Sequence, residues 1–224
     1  ESAPFLTLKK GVGVLQAGDT LYVKVGTYNE SVLSWQTPVR SGTSWSNPIT
    51  ISAYPGHTVT IQPPSGHAAF WFKSGPNDAT IQYLVINGFI IDGWNAALHG
   101  IKLQSRISPE TYDGPNFIRI TNVEIKNSTG SGILTSGNNV EFINLKIHHN
   151  GVNPQDHGLY HTGSNSIIEK SEFYNNSGYG IHIYDGFAGE SASNNTIRSN
   201  YIHDNGIVAG ASCGVILSSG DNNL

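Results

Sequence analysis

The segment DHGLYHTGSN, residues 156–165, gathers Asp156, His157, Tyr160 and His161 within six positions, and YGIHIYD, residues 179–185, adds His182, Tyr184 and Asp185. These are the parts of a proton-transfer site. An imidazole exchanges a proton near neutral pH, a phenol can donate one, and carboxylates can hold a cation or act as bases. The same residues would also serve as polar decoration on one coil of a repeating structure. Which reading holds depends on the elements that carry them.

Those elements repeat. HGIKLQS from His99, SGILTSG from Ser131, HGLYHTG from His157, YGIHIYD from Tyr179 and CGVILSS from Cys213 each place a glycine before an aliphatic residue and a short strand-like run. The glycines at 100, 132, 158, 180 and 214 are separated by 32, 26, 22 and 34 residues. Between them, NFIRITNVEIKNS, NNVEFINLKIHHN, NSIIEKSEFYNN and NNTIRSNYIHDN share an Asn-rich turn, a strand, a short turn and a second strand. A constant core pattern with variable spacing describes a solenoid whose insertions fall in loops. The apolar period is two, as in Ile118, Ile120, Val123 and Ile125, so the coils are strands. About 22 residues per minimal coil fits three short strands, stacked in parallel on those of the next coil at about 4.8 Å, with side-chain ladders of asparagine at the bends.

LQAGDTLYVKVGTYNESV, residues 15–32, and HGLYHTGSNSIIEKSEFYNNSGYGIHIYDG, residues 157–186, resemble the first coil and the repeat of the right-handed parallel β-helix family of pectate-lyase-like proteins. The resemblance covers nearly the whole chain. It implies an all-β, single-stranded right-handed parallel β-helix of about eight coils, in one domain spanning residues 1–224. Residues 36–48 and 106–116 read as surface loops. The ending SSGDNNL looks like the start of a further coil, so the last coil reads as incomplete; either the natural protein continues, or a partner or another copy covers the end. The resemblance also implies a secreted, extracellular or cell-surface protein that meets polysaccharide.

If the aliphatic residue after each glycine points inward, Ile101, Ile133, Leu159, Ile181 and Val215 form one inward column and Leu103, Thr135, His161, Ile183 and Leu217 another. His161 is the exception among them, expected to bond backbone carbonyls. The outward columns are Lys102, Leu134, Tyr160, His182 and Ile216, and Gln104, Ser136, Thr162, Tyr184 and Ser218. Tyr160 and His182 then lie one coil apart, and Lys102 lies two coils from Tyr160, about 10 Å away. Related enzymes bind polysaccharide along this face.

Acidic polysaccharides are cut by β-elimination, and epimerised by the same proton abstraction. In that chemistry His182 would be the base, Tyr160 the proton donor to the leaving oxygen, and Lys102 the cation that neutralises the uronate carboxylate. Calcium held by Asp156 and Asp185 is the alternative neutraliser and the one cofactor suggested. His157 and Tyr184 would line the substrate path, and Trp35 and Trp45, flanking the long loop, would stack on sugars. His148, His149 and His203 fall in the Asn-rich turns. The signature motifs of pectate lyases, polygalacturonase-like hydrolases and the epimerases do not occur, so two other readings stay open: a non-catalytic glycan-binding or cell-surface module, and a structural solenoid that self-associates end to end.

Composition narrows the field further. Gly 26, Pro 10 and 12% charged residues disfavour a helical protein. With a net charge of -4 and no basic patch interleaved with aromatics, nucleic acid is not expected as a partner. The single cysteine, Cys213, excludes an internal disulfide or a cysteine-based zinc site. No run of 18 apolar residues could span a membrane.

Overall fold

The computed structural model describes residues 4–74, 80–108, 111–185, 191–208 and 213–224. Short strands stack in parallel into three seven-stranded sheets, and each coil contributes one strand to each sheet. In the coil that follows Asn139, for example, Glu141–Ile143 joins the first sheet, Lys146–His148 the second and Leu159–His161 the third. From first to last strand of a sheet the chain makes about six turns, fewer than the eight coils expected. The N-terminal segment is one reason: Leu8–Val12 is a helical turn, its buried Leu8 and Val12 packed on the start of the core.

The interior is built from columns of aliphatic and aromatic side chains. Ile86, Ile120, Phe142 and Ile168 belong to the first sheet, Ile91, Ile125, Ile147 and Phe173 to the second, and Ile101, Ile133, Leu159 and Ile181 to the third, all fully buried. Period-two alternation produces this, because inward and outward side chains alternate along each strand. The glycine before the third-sheet strands that start at Ile101, Ile133, Leu159 and Ile181 has a packing cause. A Cβ at Gly132 would lie 2.7 Å from the carbonyl oxygen of Gly158, and one at Gly158 would lie 2.6 Å from that of Gly180.

Corners turn on left-handed residues, which asparagine adopts at low cost. Asn122 and Asn144 do so between the first and second sheets, and Asn139, Asn165 and Asn194 do so before the first sheet. Two asparagine ladders run along the stack. Asn87, Asn122 and Asn144 form one near the surface, each amide donating to the preceding Oδ1 at 2.7 Å. The other is inside: Asn150 Nδ2 donates to Asn176 Oδ1 (3.1 Å), and Asn176 Nδ2 donates to Asn205 Oδ1 (2.9 Å).

Three local expectations change. Within the expected loop 106–116, Ser105–Ser108 pairs antiparallel with Thr111–Asp113 as a side hairpin, and Asn116 already belongs to the first sheet. His148 and His203 are strand residues of the second sheet, not turn residues, because inward Ile147 and Ile202 force their neighbours outward. They stack on Tyr174 from either side, at 4.6 and 5.2 Å. His149 does lie at a corner, with positive φ. At the last coil Val215 and Leu217 are partly exposed, because no coil of the described chain lies on them.

Candidate functional site

The third sheet has the register read from the glycine pattern. Leu134 pairs with Lys102 on one side and with Tyr160 on the other, and Tyr160 pairs with His182, so these residues form one outward column. The Tyr160 and His182 rings are nearly parallel at 5° with centroids 4.8 Å apart. Tyr184 extends the stack, 5.5 Å from His182. Beneath them Gln104 Nε2 and Thr162 Oγ1 both donate to Ser136 Oγ at 2.8 Å, a buried polar row that stiffens the sheet.

His157 lies behind the column and fixes the state of His182. The backbone N–H of Tyr179 donates to His157 Nδ1 (3.0 Å), so in the neutral ring Nε2 carries the proton. That N–H meets His182 Nδ1 at 3.0 Å, which makes Nδ1 an acceptor and places the His182 proton on Nε2, 2.8 Å from Ser218 Oγ. Burial, and secondarily the neighbouring His182, pushes His157 down to about 3, and burial pushes His182 down to about 4. Both rings are therefore neutral at physiological pH. The outward edge of His182 is an N–H donor, and a base at this position would need the opposite tautomer. Tyr179 stacks on His157 at 5.0 Å and holds its ring in place.

Lys102 sits two coils from Tyr160, as its register requires, with its Nζ 4.5 Å over the ring of Trp71. Burial first, and the nearby Lys73 second, hold its ammonium below the ordinary lysine range. His99, just before this strand, is pushed down to about 4 by burial and then by Lys102. Trp35 meets Trp71 edge-on at 5.1 Å and so lies at the N-terminal end of this same face. Trp45 does not. It packs against Tyr83 and Arg119, which extend from the first sheet, because the chain after Trp35 swings round the solenoid to enter that sheet at Ile49.

The two candidate calcium ligands are placed differently. Asp156 Oδ2 accepts from the backbone N–H groups of Val152 and Asn153 and from the Asn153 amide, which commits it to shaping its own turn. Asp185 follows the strand bearing His182, its backbone N–H bonded to Ser219 Oγ at 2.6 Å. Among the described residues no group of three or more His, Cys, Asp or Glu side chains is arranged to hold a metal.

Sequence reasoning read Trp71 only as one of several tryptophans that could stack on sugars and missed the third-sheet strand that carries it. That strand, Phe70–Phe72, pairs with Ile101–Leu103, but Ala69 stands where the later coils have glycine, and the signature is lost. Extending the Lys102 column back by one period would have found Trp71. Lys73 and the structural part of Tyr179 left no pattern, since one acts from beyond a strand end and the other through its backbone.

The stacked polar rings lie on the outer wall of a three-sheet parallel solenoid, the architecture of a β-helix. The chain belongs to the family described as the right handed beta helix region, whose model matches residues 74–224. No protein of curated function matches it in sequence. Among solved structures it is similar to ORF18 of Geobacillus virus E2, with TM-score 0.67 and 18% identity over 91% of this chain and 39% of that one. It is also similar to the pectate lyase Pel9A, with TM-score 0.68 and 13% identity over 96% of this chain and 55% of that one. A third is XylC, solved in complex with xylose, with TM-score 0.60 and 12% identity over 88% of this chain and 59% of that one. The likeness at these identities is one of fold. The chain spans roughly two fifths to three fifths of the length of these proteins.

Proposed function

We propose that this chain engages an extracellular acidic polysaccharide along the outer face of its third sheet, as a lyase- or epimerase-type β-helix protein. The observation that carries the reading is the single outward column of Lys102, Tyr160 and His182, with Tyr184 stacked beside it. Stacked rings offer flat apolar surface to the C–H faces of sugars, and the cation and the N–H offer partners for carboxylates. The fold shared with a pectate lyase supports the substrate class.

In a β-elimination or epimerisation, His182 would have to carry its proton on Nδ1, so that Nε2 takes the α-proton and the ring becomes an imidazolium, which later returns that proton to solvent or to the sugar. Tyr160, in parallel contact with that ring, is placed to exchange a proton through its hydroxyl. A second reading, non-catalytic glycan binding, is favoured by the His182 tautomer, which leaves no imidazole lone pair facing outward.

The test is incubation of the full chain with polygalacturonate and with alginate, following both affinity and the ultraviolet absorbance of unsaturated chain ends. Binding with new absorbance, each lowered at least about tenfold in Y160A and H182Q, supports the enzyme reading; one lost charge-assisted contact is worth about that much. Binding without absorbance supports the second reading. Failure to bind either polymer overturns both.

A further inference from the structure

We propose that Lys73 and Lys102, seated on Trp35 and Trp71, form a subsite for the charged group of an acidic sugar, separate from the Tyr160–His182 stack on the same face. This rests on the reading of that face as a polysaccharide path and adds to it the place where the polymer's charge is recognised.

The geometry comes first. Trp71 occupies the outward column one coil before Lys102. Lys102 Nζ lies 4.5 Å from the Trp71 ring centroid and Lys73 Nζ lies 4.2 Å from that of Trp35. The two indoles cross at 90° with centroids 5.1 Å apart, so one aromatic pair carries both ammonium groups. The Lys73 backbone N–H is tied to Ser34 Oγ at 3.0 Å, which fixes the end of its strand against the coil that bears Trp35. A cation held over a ring face keeps its remaining N–H bonds directed away from the ring. The outer surface of Trp35 stays open beside them.

The charge arrangement is unlike that on the later strands of the first and second sheets. On the first and second sheets and their corners, Arg119 pairs with Glu141, Lys126 with Glu124, Lys146 with Glu172, and Lys170 and Arg198 with Glu169. Among the described residues neither Lys73 nor Lys102 has a carboxylate within ion-pair distance. Instead each faces the other, and His99 beside Lys102 is kept neutral. A chain of net charge -4 that pairs Arg119, Lys126, Lys146, Lys170 and Arg198 with carboxylates has left two described cations of like sign together, half-buried, on the face that also bears the stacked rings. An incoming anion relieves that repulsion and satisfies both ammonium groups. Lys102 and Tyr160 are two coils apart, about 10 Å, so a polymer reaches both and a single sugar does not.

The test titrates the full chain with polygalacturonate, with carrageenan as a sulfate-bearing polymer and with neutral galactan. In parallel, tryptophan fluorescence is followed on adding sodium galacturonate or galactose. In K73Q/K102Q, polygalacturonate affinity should fall about 10- to 100-fold, its salt dependence should flatten, and the galacturonate-specific fluorescence change should disappear. K102R, which keeps the charge, should retain most of the affinity. Tight carrageenan binding with the same lysine dependence assigns the site to sulfate as well as carboxylate. Unchanged polygalacturonate affinity and unchanged fluorescence response in K73Q/K102Q overturn the subsite. If that occurs while Y160A and H182Q abolish binding, the functional reading survives without it. If the lysine variant alone loses the galacturonate response and Y160A and H182Q bind like wild type, the subsite stands and the role of the stacked rings falls. No response of the wild-type chain to any of these ligands overturns both.

Discussion

Replacing His161 by leucine should stabilise the protein, and the gain should grow in acid. His161 is fully buried in an inward column between Thr135 and Ile183, its ring edge on Phe142 at 5.5 Å. The sequence suggests carbonyl partners for it, but neither ring nitrogen has a hydrogen-bond partner. The adjacent Asn195 amide donates to the carbonyl of Gly163 at 3.0 Å, and its influence on the ring offsets only part of the effect of burial. An unmet buried polar group costs about 1–3 kcal/mol, and leucine, of comparable size, removes that cost. Burial also depresses His161 from 6.5 to about 4. The unfolded chain therefore takes up a proton below pH 6.5 that the folded chain refuses. Stability from this group is intact above pH 6.5 and is lost as the pH falls toward and through 4. At about 1.4 kcal/mol per pH unit, roughly 2 kcal/mol is gone by pH 5. His161→Leu should thus gain about 1–3 kcal/mol at pH 8 and roughly 2 kcal/mol more at pH 5. Urea unfolding of both proteins at the two pH values, followed by circular dichroism with m-values compared, measures this. Histidines 99, 157 and 182 are also depressed, so both proteins keep some acid sensitivity, and the difference between them isolates position 161. The reasoning is refuted if the leucine variant unfolds at lower urea at pH 8, or if the two stabilities run parallel between pH 5 and 8.

Two further outcomes follow from particular bonds. Asn176→Ala removes the acceptor of the Asn150 backbone and side-chain N–H groups and the donor to Ile147 O and Asn205 Oδ1, all in the interior, and should cost about 2–4 kcal/mol in urea unfolding; a loss below about 0.5 kcal/mol would show the inner ladder to be dispensable. His157→Phe keeps a buried ring but withdraws the N–H given to His182 Nδ1. Long-range nitrogen-15 spectra at pH 7 should show His182 protonated only on Nε2 in the wild type and as a tautomer mixture in the variant. Protonation of Nδ1 in the wild type would contradict the chain of bonds from Tyr179.

The coil architecture and the third-sheet register were legible from the residues because both are set locally and then repeated. Period-two alternation decides which side chains enter the core, and glycine is required where a Cβ would strike the carbonyl of the next coil, as at Gly132 and Gly158. Lys102, Tyr160 and His182 could therefore be aligned across gaps of different length. The same reliance on the signature hid the strand Phe70–Phe72, where Ala69 stands in place of glycine, and with it the place of Trp71 in the Lys102 column. What only the tertiary structure decided are contacts that depend on how long insertions travel and on backbone groups without sequence identity. Trp35 and Trp45 are ten positions apart and end on different sheets, one over Trp71 and the other beside Arg119. The tautomer of His182 is set through His157 by one backbone N–H at Tyr179. A repeating pattern fixes which side of the wall a side chain occupies; its neighbours from other coils, and hence its protonation and partners, are fixed only when the coils are stacked.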